Sequence, residues 1–281
     1  MAITANPEHS PLGKTTEYVD QYDPSLLYPI PRADKRDEIG LPEISPEGKL
    51  PFFGQDIWNA FELSWLNPKG KPQAAVAVFR IPASSPNIIE SKSFKLYLNS
   101  FNQTKLAEQS ELQSRLEKDL SEAAGETVVV ELYSLEEAQA LQIEQPQGRC
   151  IDDLDIEIEH YHPQPDLLKT QSDLVVEEQL YSHLLRSNCP VTGQPDWATV
   201  HVSYKGPKID KAGLLAYIVS FRQHNDYHEQ CVERMFVDIT QRCQPEELTV
   251  VARYTRRGGL DINPWRSSNR PDMDNQRLIR Q

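Results

Sequence analysis

Two groups of side chains have the types and spacing for chemistry. The first is Cys189, in the run Ser187-Asn188-Cys189-Pro190-Val191-Thr192-Gly193, whose Ser, Asn, Pro and Gly content marks a turn. Asp196 follows between Pro195 and Trp197, on the far side of that turn. An ordinary thiol, with a pKa of about 8.5, is only a few per cent thiolate at neutral pH, so a nucleophilic cysteine needs a proton acceptor or a cation beside it. A carboxylate across the turn is such an acceptor. Because an ionised Asp196 would raise the thiol pKa, the pair is read as sharing one proton that later moves to substrate. Two plainer readings stay open on spacing alone: Cys189 as an inert packed thiol and Asp196 as a turn cap.

The second group is His224-Asn225-Asp226-Tyr227-His228-Glu229, with Cys231 close behind. The histidines are spaced for one helix face, yet the run is neither H-E-x-x-H nor a cysteine pair, so zinc is a minor reading here. Glu229 can accept paired N–H donors from the edge of a purine-like or pterin-like ring; a solvated helix N-terminus is its plainer reading. Further on, residues 253–281 carry seven arginines against three aspartates, reversing the sign of the rest of the chain. Arg256-Arg257-Gly258-Gly259 leaves a strand through two glycines, where backbone N–H groups and guanidinium forks can hold a phosphate. Surface pairing with the acidic body competes with that reading. Neither G-x-G-x-x-G nor G-x-x-x-x-G-K-[ST] occurs, so Rossmann and P-loop sites are not supported.

The elements that must position these groups repeat. Ile89, Tyr97, Ser100, Phe101 and Gln103 recur 120 residues later as Ile209, Tyr217, Ser220, Phe221 and Gln223. The stripe Phe94, Tyr97, Leu98, Phe101 is matched by Leu214, Tyr217, Ile218, Phe221, both with the i, i+3, i+4, i+7 spacing of an amphipathic helix. Strand-like runs 74–81 and 199–204 precede these stripes, each after a Gly-x-Pro turn, and runs 127–133 and 249–254 follow second helical patterns. Each half therefore reads as strand, strand, helix, helix, strand: an α+β layer with helices on one face of an antiparallel sheet. Alternation at Leu154, Ile156 and Ile158 predicts a half-exposed strand opening the second half, and 162–172 reads as a loop. Under the repeat Cys189 faces Asn67 or a neighbouring position and Asp196 faces Gln73, so the reactive pair exists in one copy only.

The chain has 281 residues, enough for two ordinary domains without disulfide or metal staples. Its 29 basic and 42 acidic residues give a net charge of −13, which repels phosphate backbones and anionic lipid, so no nucleic-acid partner is expected. The longest apolar stretches run to about six residues, far short of the roughly 20 that span a bilayer, so no membrane is expected. The N-terminus lacks the basic start and apolar core of a signal peptide, and a cytoplasmic chain with four reduced thiols is the expectation. Residues 1–48, rich in Pro and charge and without apolar period, are expected to form an extended arm.

Ile89-Glu90-Ser91-Lys92-Ser93-Phe94-Lys95-Leu96-Tyr97, taken with Ser187-Asn188-Cys189-Pro190 and Asp196, resembles the nitrile reductases that act on 7-cyano-7-deazaguanine in queuosine biosynthesis, in their long two-module form. The resemblance extends from about Gly13 to the C-terminus and takes in Asp56-Ile57-Trp58, Cys150-Ile151-Asp152-Asp153, His228-Glu229-Gln230-Cys231 and Arg256-Arg257-Gly258-Gly259-Leu260-Asp261. It implies two tandem tunnelling-fold modules, 49–145 and 146–281, assembled as a homodimer. It implies that Cys189 adds to the nitrile carbon to give a thioimide, that Asp196 protonates the nitrogen, and that two NADPH per turnover carry the product to the primary amine, with no metal expected. Ile89, Glu90 and Ser91 would border the substrate. Tyr227, His228 and Glu229 would hold its ring, His228 assisting protonation, and Ser91, Lys92, Arg257 and Gly258 would contact NADPH. Tyr227 stands where the family more usually has Phe. Two other classes remain: a zinc-dependent, pterin-forming cyclohydrolase using His224, His228 and Cys231, and a purine- or pterin-binding module in which Cys189 is structural.

Overall fold

The computed structural model describes residues 18–41, 49–269 and 272–281. The described chain divides into two compact units. The first holds 18–34, 56–142 and 256–261; the second holds 35–41, 49–55, 143–255, 262–269 and 272–281.

In the first unit, β2 (Phe53–Leu66) and β3 (Pro72–Pro82) are joined by a tight turn, and β5 (Val129–Tyr133) lies antiparallel on the outer side of β3 in the register Val78↔Glu131. A short pair, β1 (Pro29–Pro31) with β4 (Asn87–Ile89), leads into α2 (Ser91–Asn99), and α3 (Gln109–Ala124) completes the layer. The first of the expected stripes is the buried face of α2. Phe94 packs 5.0 Å from both Trp58 and Phe79, ring centre to ring centre, and Tyr97 meets Phe101 edge-on at 5.4 Å. Each of these fully buried rings contributes on the order of 1.5–3 kcal/mol by leaving water.

The second unit is built to the same plan. Its sheet runs β11 (Leu260–Ser267), β10 (Glu247–Tyr254), β9 (Pro195–Ile209), β8 (Thr170–Asn188) and the short β7 (Arg149–Cys150), with α4 (Lys211–Ser220) and α5 (His228–Cys243) between β9 and β10 in the chain. Within this sheet all pairings but the parallel β7–β8 are antiparallel, and a separate short pair, β6 (Ile143–Glu144) with β12 (Arg277–Leu278), is parallel. The layer is thus α+β with antiparallel sheet, as the two apolar periods require.

The repeat extends to atomic detail. Tyr97 Oη donates to buried Asp119 on α3 at 2.7 Å, and Tyr217 Oη donates to buried Asp238 on α5 at 2.6 Å. The Tyr217–Phe221 stack has the same 5.4 Å separation as Tyr97–Phe101, at 84° against 82°. Ser100 and Ser220 each donate to the carbonyl of the tyrosine three residues back, both at 2.6 Å. Chance similarity between amphipathic segments does not reproduce a buried Tyr–Asp bond twice.

Burial raises the Asp238 carboxyl above its ordinary value, with the Tyr217 hydroxyl pulling the other way. A carboxyl that binds its proton more tightly folded than unfolded loses stability as pH rises through and above the ordinary carboxylate range. Tyr217→Phe removes the opposing bond, and we expect it to cost about 1–3 kcal/mol at neutral pH and less in acid, where Asp238 carries its own proton. Urea unfolding at both pH values checks the sign.

Three expectations change. Residues 18–41 are not a bare extended arm: they contain β1 and a short helix, α1 (Ala33–Glu38), and they bury Ile30, Arg32 and Leu41. Arg32 is anchored to Asp56 at 2.6 Å, a buried charge pair that composition does not reveal. Residues 1–17 and 42–48 of that stretch lie outside the described residues. The run Leu154–Ile158 alternates between half-buried and exposed positions as expected, but it pairs with no strand among the described residues and is not one. The stretch 162–172 is only partly loop, since a single 3-10 turn, Pro165–Leu167, fills its middle and β8 has begun by Thr170.

Candidate functional site

Cys189 is the first residue past β8, and its backbone closes the turn into β9. Its N–H donates to the Gln194 carbonyl at 2.9 Å, and its own carbonyl accepts from Gly193 N–H at 3.0 Å. The first unit closes the corresponding turn alike, with Asn67 N–H donating to the Lys71 carbonyl and Gly70 N–H to the Asn67 carbonyl, both at 2.9 Å. Gly70 and Gly193 both take positive φ, at 81° and 66°, where a side chain would be strained. The cysteine thus occupies the place of Asn67 in a duplicated hairpin whose second copy is one residue longer.

Past the turn, Pro195 pairs with Asn188 and Asp196 with Ser187, which brings the carboxylate back beside the start of the turn. Cys189 is 6% exposed and Asp196 5%. Both are therefore shielded from bulk water, and Cys189 is a buried residue at a turn rather than an open loop thiol.

The third wall comes from the segment before α5. Asn188 N–H donates to the His224 carbonyl at 2.8 Å, Asp226 N–H donates to the Asn188 carbonyl at 3.1 Å, and the Asn188 amide reaches Asn225 Oδ1 at 3.1 Å. These bonds zip residues 224–226 onto the end of β8, so α5 begins beside the cysteine turn. Its first residue, His228, places Nε2 3.4 Å from Asp196 Oδ1, and its ring lies 4.0 Å from the Tyr254 ring, centre to centre. Glu229, in the same first turn, is 3% exposed, so the solvated-terminus reading fails. A carboxylate there is favoured by the helix N-terminus.

The second unit therefore sets Asp196 against His228 beside the Cys189 turn, with Tyr227 and Glu229 flanking His228 in the chain. Two neighbours went unassigned in the sequence. Asp226 is buried, accepts from Tyr227 N–H at 2.9 Å and pairs with His224 Nε2 at 3.3 Å. Tyr254 is fully buried and backs the His228 ring. Asp226 stood inside a run already singled out, whereas nothing in the sequence around Tyr254 separates it from a core tyrosine. His224, His228 and Cys231 do not gather as metal ligands: the two imidazoles pair with different carboxylates, and burial pushes the enclosed Cys231 thiol up.

The first unit holds the other predicted residues. Ile89 ends β4, paired with Pro29, and Glu90 caps α2: its carboxylate accepts from Lys92 N–H at 2.7 Å and Ser93 N–H at 2.8 Å. Glu90 is fully buried, and burial raises its carboxyl above the ordinary value despite those two donors. Ser91 and Lys92 form the first turn of that helix. Arg257-Gly258-Gly259-Leu260 makes a tight reverse turn, Arg257 N–H to the Leu260 carbonyl at 2.9 Å, with φ of 57° and 75° at its two glycines. Beside it lies a cleft of about 150 Å³ whose walls include Glu62, Lys95, Asn102 and Gly258. A Cβ at Gly258 would come within 3.3 Å of the Lys95 side chain, so the glycine keeps this wall open.

The comparisons with known proteins agree with the residues. The family model described as the N-terminal part of nitrile reductase, 7-cyano-7-deazaguanine reductase, matches residues 18–132, and one described as QueF-like protein matches 195–273. Proteins named NADPH-dependent 7-cyano-7-deazaguanine reductase from Chromobacterium violaceum and Dechloromonas aromatica are each 58% identical to this chain, covering 99% of it and 98% and 97% of their own lengths. One of the same name from Cupriavidus metallidurans is 59% identical over 98% of this chain and 99% of its own. Among solved structures, an archaeosine synthase QueF-Like in the apo form aligns with 36% of this chain and 96% of its own at 17% identity and a TM-score of 0.30, too slight a likeness to bear on the fold. The chain belongs to the family of NADPH-dependent 7-cyano-7-deazaguanine reductases.

Proposed function

We propose that this chain reduces the nitrile of 7-cyano-7-deazaguanine to the primary amine with NADPH, through a covalent bond to Cys189. The observation that carries the mechanism is the contact between buried Asp196, on the strand that leaves the cysteine turn, and His228 at the start of α5. A nitrile accepts hydride poorly, and adding sulfur to its carbon turns it into a C=N that accepts hydride more readily. The Cys189 sulfur bonds to the nitrile carbon while the nitrogen takes a proton from Asp196, so no nitrogen anion forms. His228, whose Nε2 lies 3.4 Å from that carboxylate, replaces or relays the proton. After the first hydride the C–S bond breaks, the sulfur regains a proton, and the resulting imine takes the second hydride and a further proton. Two hydrides and two protons account for the four-electron change from nitrile to amine.

NADPH supplies the two hydrides. The residues present suit it: the glycine turn at 258–259 exposes backbone N–H groups, Lys95 lines the adjoining cleft, and Lys92 and Arg257 add cations that a 2′-phosphate would need. Glu229, near the α5 N-terminus, suits the paired N–H donors of a deazaguanine edge. Ile89, Glu90, Ser91 and Tyr227 are assigned to the substrate by the family resemblance, with the Tyr227 hydroxyl the one departure. Two tandem tunnelling-fold modules, divided near 145/146, are supported by the repeated hairpin, Tyr–Asp bond and aromatic stack; the homodimer rests on the resemblance. No described helix is long and apolar enough to cross a membrane.

Intact mass after incubation with 7-cyano-7-deazaguanine and no cofactor tests the reading. A gain equal to the whole base is expected, and an unchanged mass at saturating base removes the covalent route. Asp196→Asn keeps the shape and loses the proton, so adduct formation should slow by about 10²- to 10⁴-fold, with the base still bound. An unchanged rate would move the acid elsewhere.

A further inference from the structure

Cys150, Asp152 and His183 are not used in the reduction proposed above, yet the second unit gathers one ligand atom from each within 4.8 Å of one another. They converge because β7 pairs in parallel with β8, Cys150 opposite Tyr181, and because the β8 register breaks between Ser182 and Leu185 at His183. The chain then turns so that Asp152 Oδ2 accepts the His183 backbone N–H at 3.0 Å, which fixes the carboxylate. His183 Nδ1 lies 2.8 Å from Thr199 Oγ1, which fixes the ring. Asp152 Oδ1 is buried and has no hydrogen-bond partner in the structure. Thiol, imidazole and carboxylate, the last two each fixed by a neighbour, make the donor set of a borderline cation.

We propose that Cys150, Asp152 and His183 bind one divalent transition-metal ion of the zinc class, tying the 150–152 turn to β8. Tetrahedral ligands sit roughly 3.5 Å apart, so these atoms need close in by only about 1 Å. On binding, the Cys150 sulfur donates a lone pair and its proton goes to solvent; no electrons are transferred. Burial pushes the Cys150 thiol up, and Asp152 adds to that shift, against a backbone N–H of Asp152 that offsets it in part. Without a cation, then, the sulfur stays protonated beside the carboxylate.

Cobalt(II) titrated into the full-length, metal-stripped chain is the probe. One equivalent should give a thiolate-to-cobalt charge-transfer band, and zinc should displace it. Cys150→Ala should abolish the band, Asp152→Asn should weaken it, and Cys189→Ser should leave it intact. Adduct formation at Cys189 in the Cys150→Ala protein reports that the variant is folded, and it tests the reductase reading separately. Absence of a thiolate band in the wild-type chain, or a band that survives Cys150→Ala, would overturn the site and leave a thiol–carboxylate hydrogen bond in its place.

Discussion

Cys189→Ala is expected to abolish the base adduct outright and to lower NADPH oxidation by about 10⁴-fold or more, the scale on which removing a covalent nucleophile acts. The thiol is the strongest nucleophile in the β8–β9 turn, and the repeat shows what the turn is without it: Asn67 closes the same hairpin in the first unit with a similar pattern of backbone bonds. The Cys189 backbone, not its sulfur, makes the two turn-closing bonds, so alanine should leave the turn, Asp196 and His228 in place. Binding of the base should survive while chemistry is lost, a split that separates a nucleophile from a packing thiol. Measured side by side, equilibrium binding, adduct mass and cofactor oxidation make that split visible. Retained turnover in the alanine variant would end the covalent mechanism. Lost binding, loss of fold excluded, would recast Cys189 as part of the pocket wall.

Much of the scaffold was legible because it is written in periods. Phe94, Tyr97, Leu98 and Phe101 lie at helical spacing, and the same spacing returns at Leu214, Tyr217, Ile218 and Phe221; apolar burial then forces α2 and α4 onto their sheets. The alternating run 154–158 shows the limit of the method. Extended backbone alternates its side chains whether or not a neighbour pairs with it, so the pattern gave the exposure and missed the absence of a ladder. Within the site, turn chemistry located Cys189 and Asp196, since Asn, Pro and Gly mark a reversal wherever they fall. The Asp196–His228 contact was out of reach, because it depends on Asn188 zipping residues 224–226 to the end of β8. Local pattern carries no signal for a bond of that kind. Arg32 and Asp56 were hidden for the same reason: a charged residue in a Pro-rich stretch reads as surface until its partner is found buried beside it.

The same blindness covers Glu233, whose removal should produce the largest loss of stability. Glu233 lies on α5, one turn beyond Glu229, and is 1% exposed. Arg266 of β11, itself fully buried, donates to Glu233 Oε1 through Nε at 3.1 Å and Nη2 at 2.8 Å, while Arg36 of α1 donates to both carboxylate oxygens at 2.8 and 2.9 Å. One carboxylate thus neutralises parts of two guanidinium groups. Glu233→Ala would leave Arg266 charged and enclosed, and breaking a buried pair by removing one partner costs about 3–5 kcal/mol. Glu233→Gln should recover little, since it restores an acceptor but no charge. Replacing two members of the triad with apolar residues, Glu233→Leu with Arg266→Met, should recover part of the loss, because the enclosed Arg266 charge is gone while Arg36 still loses this carboxylate. Denaturant midpoints for these three variants form the test. The helix start that carries His228 and Glu229 is braced by this triad, so Glu233→Ala should also slow adduct formation under conditions where the protein remains folded. A cost below about 1 kcal/mol, the range of solvent-exposed pairs, would mean that water reaches Arg266 once the glutamate is gone, and that α5 is held by its apolar face alone.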